Sequence, residues 1–160
     1  MGTLEAIKSA YELERGKPMP SKLHGRIQAR LIGLLYVSYG QTHTIYSELS
    51  ITLAPLFAKQ VPDIAVYEGL AAYSQADEIT VKVSPTLAVE IVSPTQALSE
   101  MTGKIEGYLA AGIKSCWIVL PELRSVALST KAGYHQTFDS SATLRDPVTG
   151  IELELAKLFS

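Results

Sequence analysis

Cysteine is almost absent from this chain of 160 residues, and other scarcities are equally informative. A single cysteine excludes an internal disulfide, and without a CxxC pair nothing suggests a zinc site. The longest apolar run, residues 31–37, is far shorter than a membrane span. No basic stretch leads into an apolar segment at the start, so no signal peptide is predicted. We therefore expect a soluble cytoplasmic protein that does not associate with membranes.

An excess of charge of one sign is also missing. The 14 Lys and Arg residues face 16 Asp and Glu residues, which gives a formal net charge of −2 with neutral histidines. A field of this size cannot pull the protein onto nucleic acid, so such binding needs a local basic patch. Hydrophobic residues make up 47% of the chain and charged residues 19%, which excludes general disorder. The length predicts one domain over residues 1–160.

Helical patterns occur in three parts of the chain. Ser21 is a suitable N-cap, and apolar residues at helical spacing predict an amphipathic helix over residues 21–38 that ends at Gly40. A mixed helical pattern precedes it over residues 3–15. Another helix is expected to end before Gly112.

Extended patterns fill most of the remaining chain. Strands are expected over residues 42–53, 63–67, 86–92, 115–120, 124–130, 134–138 and 151–155. Residues 70–83 form a connection with room for a short helix. The unit over residues 86–120 should be a parallel strand–helix–strand crossover, and the last three strands an antiparallel meander. This order predicts an α/β or α+β sheet.

Two acidic residues occupy unusual places in the predicted strands. Glu90 lies between Val89 and Ile91 in a run that is apolar on both faces. A buried, unpaired carboxylate costs several kcal/mol, so Glu90 is either a structural ion pair, an exposed edge residue, a catalytic acid or a metal ligand. Asp63 follows Pro62 at a strand start, a position usual for a turn. Acids on adjacent strands can also converge on one Mg²⁺, which prefers carboxylate oxygens and water.

Four short motifs surround these acids. They are Val61-Pro62-Asp63-Ile64, the segment LAVEIVSP from Leu87 to Pro94, the helix residues Lys104, Tyr108 and Ala111-Gly112, and Trp117-Ile118-Val119. Together they resemble the Uma2 family of endonucleases, also called DUF820, which is similar to the PD-(D/E)xK restriction-endonuclease superfamily. The resemblance implies a restriction-endonuclease-like α/β fold, with a mixed sheet flanked by helices and a C-terminal antiparallel strand meander.

The resemblance also implies metal-dependent hydrolysis of DNA phosphodiester bonds. Asp63 and Glu90, with the backbone carbonyl of Ile91, would hold one or two Mg²⁺ or Mn²⁺ ions that activate water. A lysine near that water would stabilise the developing charge. The superfamily pattern has this lysine two residues after the acid, where the chain has Val92. The family pattern has it in the following helix, where Lys104 matches.

Lys104 can reach Glu90 only from a helix that begins late. Glu90 lies roughly 10 Å from Ser93 along an extended strand. A helix that begins at Ser93 would carry Lys104 past Glu90, whereas a start near Ser99 brings the two level. Glu100, one turn before Lys104, would then orient its ammonium. The alternative is a surface salt bridge of little energetic value.

Other residues are candidates for accessory roles, each with an ordinary structural alternative. His24 matches a histidine common in the family and would face the phosphate or the outer shell of the metal. Glu48 would supply an accessory carboxylate, and Tyr108 would donate a hydrogen bond to a site carboxylate. Solvent exposure or core packing would explain these three residues as well.

A basic flank of the long helix is the candidate DNA contact. Lys22, Arg26 and Arg30 recur at every fourth position and could bind phosphates, although a solvated face is the more ordinary interpretation. A small domain must cover a duplex, so a homodimer is expected. Two other functions stay open. One is a catalytically decayed module that acts in nucleic-acid binding or oligomerisation, and the other is a phosphoesterase for a small molecule.

Overall fold

The computed structural model describes residues 8–17, 19–53, 59–73 and 76–160. The helices there are α1 (Ala10–Arg15), α2 (Lys22–Tyr39), α3 (Leu98–Ala110) and α4 (Leu155–Leu158). The strands are β1 (His43–Ser47), β2 (Ile64–Glu68), β3 (Leu87–Ile91), β4 (Ser115–Leu120), β5 (Ser125–Thr130), β6 (His135–Asp139), β7 (Thr143–Arg145) and β8 (Glu152–Glu154). No helix in the described ranges is long and apolar enough to cross a membrane.

Six of the strands form one mixed sheet, in the order β1-β2-β3-β4-β5-β6. β3 and β4 are parallel and the other neighbours are antiparallel. Since α3 connects β3 to β4, the predicted parallel crossover is confirmed. β7 and β8 form a separate antiparallel pair. The predicted fold class, a mixed sheet with helices and antiparallel strands at the C-terminal end, is therefore confirmed.

Helices α2 and α3 contribute to different apolar clusters around the sheet. Leu31 of α2 belongs to the cluster that includes Val89 of β3. Tyr108 of α3 belongs to a second cluster, which includes Ala88 of β3. Alternate residues of a strand point to opposite faces, so Glu90 shares the face of Ala88. The unusual carboxylate therefore points towards the α3 side of the sheet.

Both helices begin close to the predicted positions. Ser21 caps α2, and its side chain accepts a hydrogen bond of 3.1 Å from the backbone N–H of His24. This cap fixes the first turn of α2 and therefore the place of His24. α3 begins at Leu98, close to the late start near Ser99 that the Lys104 prediction requires.

Strand β1 is shorter than the strand predicted over residues 42–53. Glu48 has a φ of 49°, in the left-handed region that residues with a Cβ rarely adopt. This conformation ends the extended run after Ser47. It also lets the backbone N–H of Glu48 donate to the carbonyl of Asp63 at 3.1 Å. β1 therefore ends at a contact with the residue that precedes β2, and such a contact has no local signature in the sequence.

Three weaker predictions are revised in detail. Of the helical pattern over residues 3–15, α1 is observed, and residues 3–7 lie outside the described part. The short helix allowed within residues 70–83 is absent from the described residues of that stretch. The strand expected over residues 151–155 divides into β8 and the start of α4, and the sequence did not predict β7. A strand of three residues is too short for an alternation of apolar and polar residues to be recognised in the sequence.

Candidate active site

Asp63 and Glu90 come together where β2 and β3 meet. These strands are antiparallel, with Ile64 opposite Val89. Extending this register by one residue places Asp63 opposite Glu90, and opposite residues of an antiparallel pair share a face. Both acids are only 1% exposed. The two predicted carboxylates therefore form a buried pair of acids on adjacent chain segments.

Asp63 is surrounded by hydrogen-bond donors. Its Oδ1 accepts from Nζ of Lys17 at 2.5 Å, and its Oδ2 accepts from the backbone N–H of Ile91 at 2.7 Å. Nε2 of His24 lies 3.2 Å from Oδ2, and Nε2 of Gln28 donates to the Asp63 carbonyl at 2.9 Å. Burial acts to raise the pKa of Asp63, but the His24 hydrogen bond and the Lys17 charge outweigh burial and lower it. The environment therefore favours an ionised Asp63.

Glu90 has a different environment. Its Oε1 accepts a hydrogen bond of 2.7 Å from the hydroxyl of Tyr108 and lies 3.3 Å from Nζ of Lys104. Burial raises the pKa of Glu90, while the charge of Lys104 opposes this rise and that of Asp63 adds to it. Burial and the nearby Glu90 also hold the pKa of Tyr108 well above its usual value, so Tyr108 remains a neutral donor. Tyr108 thus packs in the core and also donates a hydrogen bond to the Glu90 carboxylate.

Lys104 reaches Glu90 as the helix geometry predicted, but without the expected help from Glu100. Its side chain is 17% exposed, and its ammonium turns inward to the buried carboxylate. Among the described residues no ion pair joins Glu100 to Lys104. The physical reason is that Glu100 is exposed and solvated, whereas the ion pair with Lys104 partly offsets the cost of burying Glu90.

Lys17 is a site residue that the sequence did not reveal. It follows Gly16, which ends α1 with a φ of 71°, and its side chain is 6% exposed. Besides Asp63, its ammonium donates to the carbonyl of Val61 at 3.0 Å. Burial acts to lower the pKa of Lys17, but attraction to Glu90 and Asp63 outweighs burial and raises it. A lysine between glycine and proline is typical of a turn, so no local signal indicated this contact.

The other two accessory candidates differ in burial: His24 is buried beside Asp63, and Glu48 is half-buried. His24 is 4% exposed, and its Nδ1 is buried without a hydrogen-bond partner in the described part of the chain. Oε1 of Glu48 accepts from the hydroxyl of Tyr11 at 3.1 Å. Within the described ranges, no three His, Cys, Asp or Glu side chains are placed to hold one metal ion together. His24 and Glu48 therefore do not form a compact metal cluster with the two acids.

The donor set nevertheless suits one class of metal. Mg²⁺ is commonly held by one or two carboxylates and keeps several waters, whereas structural zinc takes four nitrogen or sulfur ligands. Asp63 and Glu90 supply two carboxylates, and the backbone of Ile91 lies beside Asp63. The paired part of β2 and β3 ends at Ile64 and Val89, so the backbone of Ile91 lies beyond it. These residues fit a hard cation that is bound by oxygen.

A groove of about 340 Å³ borders this cluster on the α3 side. The residues that line it are Gly16, Gln60, Gln96, Glu100, Met101, Gly103 and Lys104. Lys104 connects the groove to the acid cluster, since its Nζ lies 3.3 Å from Oε1 of Glu90. The structure thus places Glu100 on the groove wall. A ligand in this groove would contact both Glu100 and Lys104.

The basic flank of α2 contacts another part of the chain. Arg26 donates to the carbonyl of Ser160 at 3.2 Å, and Arg30 donates to the same carbonyl and, at 3.1 Å, to the Ser160 hydroxyl. Lys22 is exposed. In the part of the chain that the structure describes, no ion pair joins these three side chains to Asp63 or Glu90. The side chains of the basic flank are therefore not neutralised by the two acids of the cluster.

Comparison with known proteins identifies the family and supports the fold. The sequence model of the Uma2 family, described as "Putative restriction endonuclease", matches residues 8–156. The chain belongs to the Uma2 family. Among solved structures, this Uma2 chain resembles one described as a putative nuclease belonging to DUF820 from Anabaena variabilis ATCC 29413. The TM-score is 0.74 at 24% identity, over 89% of this chain and 83% of the other. No curated protein matches the chain.

Proposed function

We propose that this Uma2 protein is a Mg²⁺- or Mn²⁺-dependent endonuclease that hydrolyses DNA phosphodiester bonds. The observation that supports this function best is the buried pair of Asp63 and Glu90 with two lysine ammonium groups beside it. Buried ion pairs are weak contributors to stability, because desolvation offsets much of the attraction. A buried cluster of two acids and two lysines is therefore better explained by a catalytic function than by a contribution to the stability of the fold.

Each residue has a distinct role in this mechanism. Asp63 and Glu90, with the carbonyl of Ile91, would hold the ion, which would supply a more acidic water and an electrostatic partner for the phosphoryl group. Lys104 lies on the groove wall and stabilises the negative charge that develops on the phosphate oxygens. Tyr108 fixes the orientation of the Glu90 carboxylate through its hydrogen bond.

The test is cleavage of supercoiled plasmid, linear duplex and single-stranded DNA by the purified chain. Cleavage is expected with Mg²⁺ or Mn²⁺ and is expected to stop with EDTA. Asp63→Ala should lose it, whereas Asp77→Ala, which changes an exposed acid, should keep it. Metal-independent cleavage, or full activity of Asp63→Ala, would contradict the proposed site.

A non-catalytic role is the second candidate, and the position of Val92 favours it. The superfamily lysine is missing there, and the net charge of −2 provides no general attraction to DNA. A decayed module would bind DNA or form oligomers without cutting in the same assay. Hydrolysis of bis(p-nitrophenyl) phosphate without any cleavage of DNA would instead indicate a phosphoesterase for small molecules.

DNA binding by the basic flank makes a prediction of its own. Changing Lys22, Arg26 and Arg30 together to glutamine should weaken duplex binding and reduce the slope of log affinity against log salt. Each lost phosphate contact removes ~0.9 from that slope, so the full change is up to ~2.7. Fluorescence anisotropy at several salt concentrations measures it. Glutamine at the exposed lysines 82, 114 and 131 is the charge-matched control, and a slope equal to wild type would exclude this surface.

The proposed unit of function is one domain over residues 1–160 that acts as a homodimer. A domain of this size covers only part of a duplex, and two copies would present two acid clusters to two strands. Analytical ultracentrifugation with and without DNA measures the oligomeric state. A monomer on DNA would restrict the function to one strand at a time.

A further inference from the structure

The ammonium of Lys17 lies directly on one of the two buried acids, Asp63. Two of its three protons are used, one on Oδ1 of Asp63 at 2.5 Å and one on the Val61 carbonyl at 3.0 Å. Burial acts to lower the pKa of Lys17, and attraction to Glu90 and to Asp63 acts to raise it. A cation that is bound to Oδ1 of Asp63 competes with a metal ion for that oxygen.

Both carboxylate oxygens of Asp63 are engaged in this arrangement. Oδ1 is bound by Lys17, and Oδ2 is bound by the backbone N–H of Ile91 and lies 3.2 Å from His24. The Ile91 amide belongs to β3 and cannot leave without disturbing the sheet. Lys17 is held by a flexible four-carbon stem in a connection between helices. Of these partners, its ammonium is the one that can withdraw from Asp63 with least disturbance.

The balance of charge leads to the same conclusion. Two carboxylates and two ammonium groups, those of Asp63, Glu90, Lys17 and Lys104, sum to zero. A divalent ion added to this buried cluster would leave an excess of two positive charges, which is costly in a poorly solvated site. Withdrawal of an ammonium, or arrival of a negatively charged phosphodiester, removes part of that excess.

We infer that Lys17 is a resident cation of the metal site, which occupies the place of the divalent ion on Asp63 and must be displaced when that ion binds. The inference rests on the proposed function, since it takes Asp63 and Glu90 as metal ligands. Lys17 therefore weakens the binding of free divalent ions. An anionic phosphodiester gives the displaced ammonium a new partner, so substrate and metal should bind cooperatively.

Metal affinity, measured without any cleavage, tests the inference. Mn²⁺ is titrated into the metal-free full-length chain by calorimetry, and free Mn²⁺ is followed by electron paramagnetic resonance. Lys17→Gln keeps an amide donor for Val61 and removes the charge, and we expect it to bind Mn²⁺ about tenfold more tightly than wild type or better. Lys114→Gln, at an exposed lysine, should leave the affinity unchanged.

Further variants separate failure of the inference from failure of the proposed function. Adding Asp63→Asn to Lys17→Gln should remove the gained affinity. If wild type binds Mn²⁺ and Asp63→Asn abolishes binding, but Lys17→Gln binds no more tightly, the metal site stands and the resident cation is excluded. If no variant binds Mn²⁺, both fail. If Lys17→Gln is unstable without metal, Mn²⁺ must raise its melting temperature more than that of wild type, and a smaller rise also excludes the inference.

Discussion

Glu90→Gln will lose DNA cleavage down to the background of the assay while the protein remains folded. The substitution keeps the size of the side chain, and its amide oxygen can still accept the hydrogen bond from Tyr108. It removes the negative charge that the divalent ion requires. Plasmid nicking with Mg²⁺ and with Mn²⁺ measures the loss. Glu106→Gln, which changes an exposed acid on α3, is the matched control and should cut as wild type does.

The stability of Glu90→Gln relative to wild type can also be predicted. Burial raises the pKa of Glu90, so the unfolded chain releases this proton at lower pH than the folded protein does. Wild-type stability should therefore fall as pH rises from about 4.3, the ordinary value for glutamate, to the higher folded pKa. Glu90→Gln lacks this loss, so without metal at pH 7 it should melt at the wild-type temperature or above. A lower melting temperature, or retained cleavage, would contradict these roles for Glu90.

Lys104→Met should lose cleavage by about 10²- to 10³-fold, the usual effect of removing one group that stabilises a developing negative charge. Methionine keeps an unbranched apolar stem but removes the ammonium that lies 3.3 Å from Oε1 of Glu90. Mn²⁺ should still bind, because Asp63 and Glu90 are unchanged. Single-turnover cleavage at saturating metal separates the two effects.

The matched control for this second prediction is Lys114→Met, since Lys114 is exposed and follows α3 closely in the chain. Cleavage by Lys104→Met at the wild-type rate would show that another group supplies the charge. Loss of Mn²⁺ binding in Lys104→Met would show instead that Lys104 supports the carboxylates and does not act on the phosphate.

The parts of the fold that the sequence predicted well are those with local causes. β3 and β4 are short apolar runs, and the helix between them has an apolar face and ends near Gly112. Glu90 stood out because a carboxylate in such a run needs a partner. The start of α3 agrees with a comparison of the rise per residue of a strand and a helix. Each of these predictions depends on residues that are near one another in the chain.

The parts that the sequence did not predict depend on contacts between distant segments. Lys17 is 46 positions from Asp63, and nothing around it differs from an ordinary turn. β1 ends before Glu48, whose backbone N–H donates a hydrogen bond to the carbonyl of Asp63. The helical spacing correctly grouped Arg26 and Arg30, but Ser160 as their partner is 134 and 130 positions away. Periodicity identifies the face of a helix and does not identify what lies against it.

The lysine beside Glu90 comes from helix α3, whereas the chain has Val92 two residues after Glu90. Val92 is partly buried and packs against the apolar cluster that includes Tyr108 of α3. A search that requires an acid and a lysine two residues apart would therefore not match this chain. A comparison of the positions of charged groups in space would instead group Lys104 with Glu90.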